Sequence, residues 1–170
     1  MNNKNIFLIG MMGTGKSTVG SVLSSIKNIP FFDMDIELEK LIDKPIDEIF
    51  KDYGESRFRL IESSFFNEIT KANRYIYATG GGIILDKNNR NILKNSGITF
   101  FLDSSTDTLI NRLKKDTKKR PLLGDNLSLN ISKVFNDRFD LYKKSAHYTI
   151  KTDNFTPNDI ANKIITYFDE

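Results

Sequence analysis

The feature that most constrains this chain is the segment at residues 10–17, GMMGTGKS, which fits the pattern G-x-x-x-x-G-K-[ST]. It follows an apolar run at residues 5–9 and precedes apolar positions at helical spacing, so it joins a predicted strand to a predicted helix. Glycines there let backbone N–H groups face a phosphate chain, and the Lys and Ser side chains serve the phosphates and Mg²⁺. Both flanking elements disfavour the alternative of a glycine-rich turn with an accidental Lys-Ser. The motif therefore predicts a nucleotide site formed by Gly13, Thr14, Gly15, Lys16, Ser17 and Thr18.

Strand and helix patterns alternate along the rest of the chain. Short apolar runs predict strands at residues 5–9, 31–33, 75–78, 98–102 and 148–151. Apolar residues at helical spacing predict helices from residue 16, over 36–42, 46–53, 58–69, 87–94, 106–115 and 128–146, and beyond 158. Such alternation is typical of a three-layer α/β domain with a mostly parallel sheet, whose ligands bind beyond the carboxyl ends of the strands.

The composition limits the class of protein and the kind of site. With 170 residues, of which 39% are hydrophobic and 28% charged, the chain is expected to form one domain spanning 1–170. It has no Cys, which excludes disulfides and thiolate metal sites and leaves oxygen ligands for any metal. No apolar run approaches the ~20 residues of a membrane span, so we expect a cytoplasmic protein with no membrane partner.

The charge balance limits the partners. A net charge of +3 is too small to indicate nucleic acid, although it favours anionic ligands. No obvious apolar stripe is left over once the elements are assigned, so a monomer is expected.

Two carboxylates follow the second predicted strand with one residue between them. In extended backbone Asp33 and Asp35 would project from the same face of the strand end. One could hold the hydration shell of Mg²⁺ while the other orients a substrate hydroxyl. A helix N-cap with a solvated neighbour is the alternative.

Arginine is the rarer base in this chain, with 7 Arg against 18 Lys, so each Arg is a candidate for a site that needs a planar, two-pronged donor. Arg59 has Glu55 four residues before it and Glu62 three residues after it, which is typical of a surface salt-bridge ladder. Against that alternative, Arg59 shares a helical stripe with Phe66. The nearby Arg57 has no such pattern and is expected in solvent.

A second Arg is predicted on the inward face of a late helix. Arg138 shares that face with Ile131, Val134, Leu141 and Tyr142. A charge in such a place needs a partner. The guanidinium groups of Arg59 and Arg138, if both face the cleft, could hold a carboxylate in a fixed geometry.

The segment at residues 114–124, KKDTKKRPLLG, carries too many like charges for a packed element. A solvated loop, a nucleic-acid patch and a mobile lid are the alternatives. The segment has no interleaved aromatic residues to stack on bases, which disfavours nucleic acid. Beside a phosphate site, the context favours a lid that excludes water and brings Arg120 onto the transferring phosphoryl group.

Two further features have a plainer interpretation. The glycines at residues 80–82 directly follow a predicted strand and would let backbone approach a ligand closely, although a flexible turn explains them equally well. His147 is the only His and lies far from any paired nucleophile, so it is expected to be structural.

The order and spacing of these motifs resemble shikimate kinase over nearly the whole chain. The matching segments are residues 10–20 (GMMGTGKSTVG), 32–35 (FDMD), Gly54-Glu55 with Phe58-Arg59 and Glu62, 80–82 (GGG), 120–123 (RPLL), and Arg138 before Leu141-Tyr142. The resemblance implies a three-layer P-loop kinase fold of the nucleoside monophosphate kinase type. That fold has a parallel five-stranded sheet, a helical substrate-binding insert, expected at about 34–62, and a lid, expected at about 113–125.

The same resemblance implies ATP-dependent phosphorylation of the 3-hydroxyl of shikimate, on the route to chorismate and the aromatic amino acids. Shikimate would be held by Asp35, Arg59, Gly81, Gly82 and Arg138. The two Arg side chains would bind its carboxylate, and Asp35 would bind the reacting hydroxyl as the candidate base.

On the nucleotide side, the resemblance implies that Lys16 and Arg120 contact the phosphates and the transferring group. Asp35, Lys16 and Arg120 are thus the expected catalytic residues, and Ser17 and Asp33 are the expected Mg²⁺ residues. The chain departs from the family on the adenine side. The family usually has an Arg several residues before the lid Arg, and this chain has Leu113 at the closest spacing, between Arg112 and Lys114.

Rival functions share the motif or the fold. Gluconate kinase and nucleoside monophosphate kinases would use the same core with a different insert, and the paired Arg residues with Asp-x-Asp favour shikimate over both. A nucleotide-gated binding protein without catalysis is a rival from another class, and the presence of Asp35 and Arg120 disfavours it.

Overall fold

The computed structural model of the protein describes residues 4–115 and 126–169. Arg120 and most of the predicted lid lie outside these residues. Within these two ranges, no helix is long and apolar enough to cross a membrane. The strands are β1 (Asn5–Ile9), β2 (Phe31–Asp33), β3 (Ile76–Ala78), β4 (Gly97–Asp103) and β5 (Tyr148–Lys151). The helices are α1 (Lys16–Lys27), α2 (Met34–Ile42), α3 (Ile46–Ile69), α4 (Lys87–Asn95), α5 (Thr106–Lys114), α6 (Leu127–Ser145) and α7 (Pro157–Asp169).

The five strands form one sheet in the order β2-β3-β1-β4-β5, and all four pairings are parallel. The predicted parallel five-stranded sheet is therefore confirmed. β1 lies at its centre and is buried along its whole length, which explains its unbroken apolar sequence. Because the strands are parallel, the loops that follow their carboxyl ends meet along one edge, and the candidate site lies there.

Helices cover both faces of the sheet, which gives the predicted three layers. Alternate residues of β1 enter two separate cores, with Ile6 and Leu8 on one face and Phe7 and Ile9 on the other. The first core includes residues of α1 and α7: Val19, Leu23, Ile160 and Ile164. The second includes residues of α3, α4, α5 and α6: Phe66, Leu93, Leu109 and Tyr142.

A glycine sets how closely α1 approaches the edge strand β2. At Gly20, in the second turn of α1, an added Cβ would overlap the ring of Phe31 on β2. The absence of a side chain at position 20 therefore lets α1 pack directly on the aromatic ring. This contact fixes the distance between the helix that follows the GMMGTGKS segment and the strand that ends at Asp33.

The two helices predicted at residues 46–53 and 58–69 form one span, α3, with a break at Gly54. That glycine has φ 74° and ψ 167°, a left-handed conformation that side chains rarely adopt. A small third core joins α2 to both halves of α3 and consists of Leu38, Ile49 and Phe58. The two predicted helices and the break between them are therefore confirmed.

Candidate functional site

The phosphate-binding motif folds as a tight loop between β1 and α1. Gly10 and Gly15 have φ values of 144° and 92°, which only glycine adopts without strain. The ammonium group of Lys16 donates hydrogen bonds to the carbonyl oxygens of Gly10 (2.8 Å) and Met11 (2.9 Å). The hydroxyl of Thr14 donates to the same Met11 carbonyl at 2.8 Å. Contacts within seven residues therefore shape the loop and hold its Lys inside it.

A cavity of about 480 Å³ opens beyond the carboxyl ends of the strands, above this loop. Its wall includes loop residues 12–19, together with Asp33, Asp35, Thr79, Gly81, Arg112, Phe155, Pro157 and Ile160. Every described residue predicted for the nucleotide and the metal, from Gly13 to Thr18 and Asp33, therefore borders one space. This volume is within the range of a site for a small organic ligand.

The local structure of the two carboxylates differs from the prediction. β2 ends at Asp33 and α2 begins at Met34, so Asp35 lies in the first turn of a helix and not in extended backbone. Asp33 is the N-cap of α2, and its carboxylate accepts hydrogen bonds from the backbone N–H groups of Asp35 (3.2 Å) and Ile36 (3.4 Å). The prediction that both side chains leave an extended strand end on one face is thus wrong, because the helix begins at Met34, two residues before its predicted start. Both carboxylates nevertheless border the cavity.

Side chains crowd against two of the three glycines after β3, Gly80 and Gly82. A Cβ on Gly80 would overlap Oε1 of Glu62 and lie 3.1 Å from Oδ1 of Asp35. A Cβ on Gly82 would overlap the guanidinium group of Arg59. Close approach of side chains therefore explains Gly80 and Gly82, whereas a Cβ on Gly81 would meet its neighbours only at ordinary contact distances of 3.5 to 3.7 Å. The glycine loop, residues 80–82, therefore brings the acidic and basic candidates together.

Arg59 is largely buried in a charged and aromatic setting. Its Nη1 donates to Oε2 of Glu62 at 2.7 Å, and its Nη2 donates to Oε1 of Glu55 at 3.2 Å. The guanidinium carbon lies 5.2 Å from the ring centre of Phe58 and 5.8 Å from that of Phe50. Within the described chain, Nε of Arg59 is a buried N–H group with no hydrogen-bond partner. A surface ladder does not describe this pair, because the side chain of Glu62 is only 3% exposed.

Burial and pairing have opposite effects on these two charges. Burial lowers the pKa of Arg59, but the carboxylates of Glu62 and Glu55 outweigh it and hold that pKa above its ordinary value. Burial also raises the pKa of Glu62, and here it outweighs the lowering effect of Arg59 and Arg138, with a further rise from the nearby Asp35. The site thus contains a permanent cation beside a carboxyl group that binds its proton unusually tightly.

Arg138 lies on the inward face of α6, as predicted, and is 7% exposed. Its Nη1 donates a hydrogen bond of 3.2 Å to the carbonyl oxygen of Gly81. One turn later along α6, the phenol of Tyr142 donates to the same oxygen. The guanidinium group therefore has the partner that its burial requires, and that partner belongs to the glycine loop.

The opposite end of the cavity has an apolar wall and one Arg. Arg112, in the last turn of α5, donates from Nη1 to the carbonyl oxygens of Gly13 (3.2 Å) and Thr14 (3.4 Å) and from Nη2 to that of Thr152 (3.4 Å). It thus links the phosphate-binding loop to the chain after β5. Phe155, from that later segment, borders the cavity and is packed against Lys163, whose ammonium group lies 3.1 Å from the ring centre.

The segment after β5 is tied to the start of α5. The carboxylate of Asp153 accepts hydrogen bonds from the backbone and hydroxyl of Ser105 and from the hydroxyl of Thr108. Partial burial raises the pKa of Asp153, but these hydrogen bonds outweigh it and keep that pKa below its ordinary value. The wall that carries Phe155 is therefore anchored by an ionised side chain at neutral pH.

Sequence reasoning did not select every residue of this site. The sequence has Arg112, Leu113 and Lys114 near the spacing of the family's adenine-side Arg, and the contact of Arg112 with the phosphate-binding loop distinguishes it. Glu62 belongs to a helical charge pattern and to the segments that resemble the family, but neither indicates its burial, which is a tertiary property. Phe155 gave no signal, because a single aromatic residue in a polar segment follows no period.

Comparison with known proteins places this geometry in a family. The family model described as "Shikimate kinase" matches residues 12–169. A shikimate kinase of Thermodesulfovibrio yellowstonii is 40% identical over 166 residues, which cover 98% of this chain and 95% of the relative.

Solved structures agree with the sequence comparison. The shikimate kinase of Acinetobacter baumannii in complex with shikimate superposes with a TM-score of 0.93 at 37% identity, covering 97% of this chain and 92% of the other. A more distant structure, a gluconokinase from Sinorhizobium meliloti, has a TM-score of 0.60 at 13% identity, which indicates a shared fold alone. The family match spans nearly all the described elements, and together with the glycine loop and its buried Arg residues it shows that the chain belongs to the shikimate kinase family.

Proposed function

We propose that the protein transfers the γ-phosphoryl group of ATP to the 3-hydroxyl of shikimate and forms shikimate 3-phosphate and ADP. The observation that carries this proposal is that charged side chains from different helices meet at the glycine loop. The guanidinium groups of Arg59, which is largely buried, and Arg138, which is buried, surround residues 80–82 together with two carboxyl groups, those of Asp35 and Glu62. Gly81 and Asp35 border the same cavity as the phosphate-binding loop. Guanidinium pairs suit a carboxylate acceptor, and the adjoining loop suits a nucleotide.

The nucleotide end of the proposed mechanism uses backbone and two cations. The N–H groups of the phosphate-binding loop and the N-terminus of α1 bind the β- and γ-phosphates. The ammonium group of Lys16 stabilises the negative charge that develops on the leaving oxygen. Arg112 and the apolar wall at Phe155, Pro157 and Ile160 would receive the base, since they border the cavity beyond the loop. The proposal thus names Arg112 as the adenine-side Arg, which the sequence alone does not identify.

Mg²⁺ fits the oxygen donors at this end. Ser17 and Asp33 border the same cavity, and Mg²⁺ in a nucleotide site takes few protein oxygens alongside water and phosphate. When bound, the ion would neutralise charge on the β- and γ-phosphate oxygens. Asp33 is already an acceptor for two N–H groups of α2, so its carboxylate has a fixed orientation.

At the acceptor end, Arg59 and Arg138 bind the shikimate carboxylate, and Gly81 and Gly82 bring backbone against the ring. Asp35 binds the 3-hydroxyl and accepts its proton as the hydroxyl oxygen forms a bond to the γ-phosphorus. The bond between that phosphorus and the β,γ-bridging oxygen breaks, and the electron pair leaves with ADP. The protein supplies position and charge in such a transfer and forms no covalent intermediate.

The proposal includes Arg120, although it lies outside the described residues. Its neighbours in sequence and the resemblance to the family support a lid at about 113–125 that places this guanidinium group on the transferring phosphoryl group. The chain is proposed to work as a single domain over 1–170, with the insert at about 34–62. A monomer in the cytoplasm is proposed as well, because all the proposed groups belong to one chain and it has no Cys.

A coupled assay for ADP release tests the proposal. The protein is supplied with ATP, Mg²⁺ and one acceptor at a time, namely shikimate, gluconate or CMP. Release with shikimate alone is the expected result. Release with gluconate or CMP instead would favour the rival kinases, and ATP binding without release would favour a non-catalytic nucleotide-gated protein.

A further inference from the structure

The carbonyl oxygen of Gly81 accepts hydrogen bonds from two side chains of one helix. Nη1 of Arg138 and the phenol of Tyr142 both donate to it, from positions four residues apart on α6. A carbonyl oxygen has two lone pairs, so these donors satisfy it fully. The centre of the glycine loop is thereby attached to α6 at one atom.

Tyr142 is built into the core as a rigid donor. Its ring is fully buried and stacks on Phe101 of β4, with the ring centres 5.1 Å apart and the planes 14° from parallel. Burial raises the pKa of Tyr142 to about 12, so the phenol keeps its proton across the physiological range. Its phenol lies beside the Gly81 carbonyl and Arg138, so its effect on the acceptor would act through these two groups.

We propose that Tyr142 is a positioning residue for the acceptor, because its phenol holds the glycine loop against α6. The guanidinium group of Arg138 then stays aligned for the substrate carboxylate. This inference rests on the proposed function, in which Arg138 binds that carboxylate. Tyr142 itself does not touch the substrate.

The physical reason lies in the geometry of the peptide group. The carbonyl oxygen of Gly81 and the N–H of Gly82 belong to one planar trans peptide, so fixing the oxygen fixes the direction of the N–H. The glycines have no side chains to restrain them, and the phenol supplies that restraint. Without it, the Gly81 carbonyl depends on Arg138 alone, and the guanidinium group must serve the loop and the substrate together.

The test compares two Tyr→Phe variants that remove equivalent groups. Tyr142→Phe removes the phenol and keeps the stacked ring. Tyr77→Phe is the matched control, because Tyr77 is also buried, stacks on Phe7, donates its phenol to a backbone carbonyl (that of Ile69, 2.7 Å), and has a pKa raised to about 12. Ile69 is the last residue of α3 and is not part of the glycine loop.

Tyr142→Phe is expected to raise the KM for shikimate by about three- to tenfold, as the loss of one buried hydrogen bond would do. The kcat and the KM for ATP should change by less than about twofold. Amide hydrogen exchange at Gly81 and Gly82 should also accelerate in this variant, with or without substrate. Both variants should lower the unfolding temperature by similar amounts, because each loses one buried hydrogen bond. Tyr77→Phe should change neither the KM for shikimate nor the amide exchange at Gly81 and Gly82.

Two results would overturn the inference: an unchanged KM for shikimate in an active Tyr142→Phe protein, or equal changes in both variants. The exchange measurement separates this inference from the proposed function. If the unaltered protein does not phosphorylate shikimate, the proposed function fails, and the rate of exchange at Gly81 and Gly82 still decides whether Tyr142 holds the loop.

Discussion

The proposed nucleotide and acceptor ends of the site are built by different means. At the nucleotide end, Lys16 is held by carbonyl oxygens only five and six residues away in sequence. At the acceptor end, Arg138 and Tyr142 reach Gly81 across 57 and 61 residues, and Glu62 meets the glycine loop from another helix. The nucleotide end is thus a local structure, whereas the acceptor end exists only once α3, β3 and α6 have packed together.

This difference has an energetic counterpart. The phosphate-binding loop buries one charge, that of Lys16, and surrounds it with the neutral carbonyl oxygens of Gly10 and Met11. The acceptor end buries charges, and the Arg59–Glu62 pair retains an N–H group without a partner in the described part of the chain. Buried charges of this kind seldom add stability, so their presence indicates binding rather than folding as the reason for them.

The largest effect is expected from breaking the nucleotide end alone. Lys16→Ala should reduce turnover by at least roughly 10³-fold, because a preorganised cation on the transferring group is lost. Shikimate binding, measured by calorimetry, should persist. The control is Lys27→Ala on the same helix, which removes a solvent-exposed pair with Asp169. Turnover close to normal in Lys16→Ala would refute the assignment of the loop.

The next effect comes from breaking the acceptor end. Arg138→Ala and Arg59→Ala should each weaken shikimate binding by about 2–5 kcal/mol, the usual loss when one partner of a buried charge pair is removed. ATP affinity should change little, which would separate the two ends. Arg57→Ala is the control, since that side chain is exposed on the same helix as Arg59. Normal shikimate affinity in either test variant would show that the carboxylate binds elsewhere.

A smaller effect concerns the pH dependence of stability. The pKa of Glu62 is raised in the folded protein, so its contribution to the free energy of unfolding is complete below its ordinary pKa of 4.5 and is lost as pH rises through the raised value. Glu62→Gln should remove this decline, which urea unfolding between about pH 4 and 8 would measure. The same decline in Glu62→Gln would assign it to another group.

The smallest effect should come from a region that belongs to neither end. His147 accepts a hydrogen bond of 3.0 Å from the N–H of Thr99 at the amino edge of the sheet. Partial burial, with Lys94 and Lys4 nearby, lowers its pKa, so its contribution to stability is complete above pH 6.5 and is lost as pH falls through the lowered value.

His147→Gln should remove this small decrease in the free energy of unfolding at low pH and leave turnover unchanged. As the only His, it gives an isolated imidazole signal whose titration by NMR checks the direction of the shift. An imidazole pKa above the ordinary value would contradict the expectation, and altered kinetics would connect this edge to the cleft.

The fold was largely predictable from the sequence, because strand periodicity and the glycine motif are local signals. The five parallel strands and both helical layers follow from alternation of pattern. The start of α2 was misjudged because Asp33 has two acceptable conformations, a strand residue or a cap, and only the N–H groups of the following turn decide between them.

The acceptor end was predictable only in part. Arg138 was recognisable because a charge on an apolar stripe requires a partner, but that the partner is the Gly81 carbonyl depends on tertiary packing. The same holds for Arg112, whose bonds to the phosphate-binding loop span 98 and 99 residues. No spacing rule connects positions so far apart, and a helical pattern alone does not report which carboxylate becomes buried.

The contact between Gly20 and Phe31 has a consequence for the proposed metal residues. Ser17 belongs to α1, and Asp33 is the last residue of β2. The distance between these two residues therefore depends on the distance between the helix and the strand. A single added methyl group at position 20 would push α1 away from β2. The hydroxyl oxygen of Ser17 and the carboxylate of Asp33 would then move apart, although neither residue had been changed. The spacing of the nucleotide site thus depends on position 20, which does not itself border the cavity.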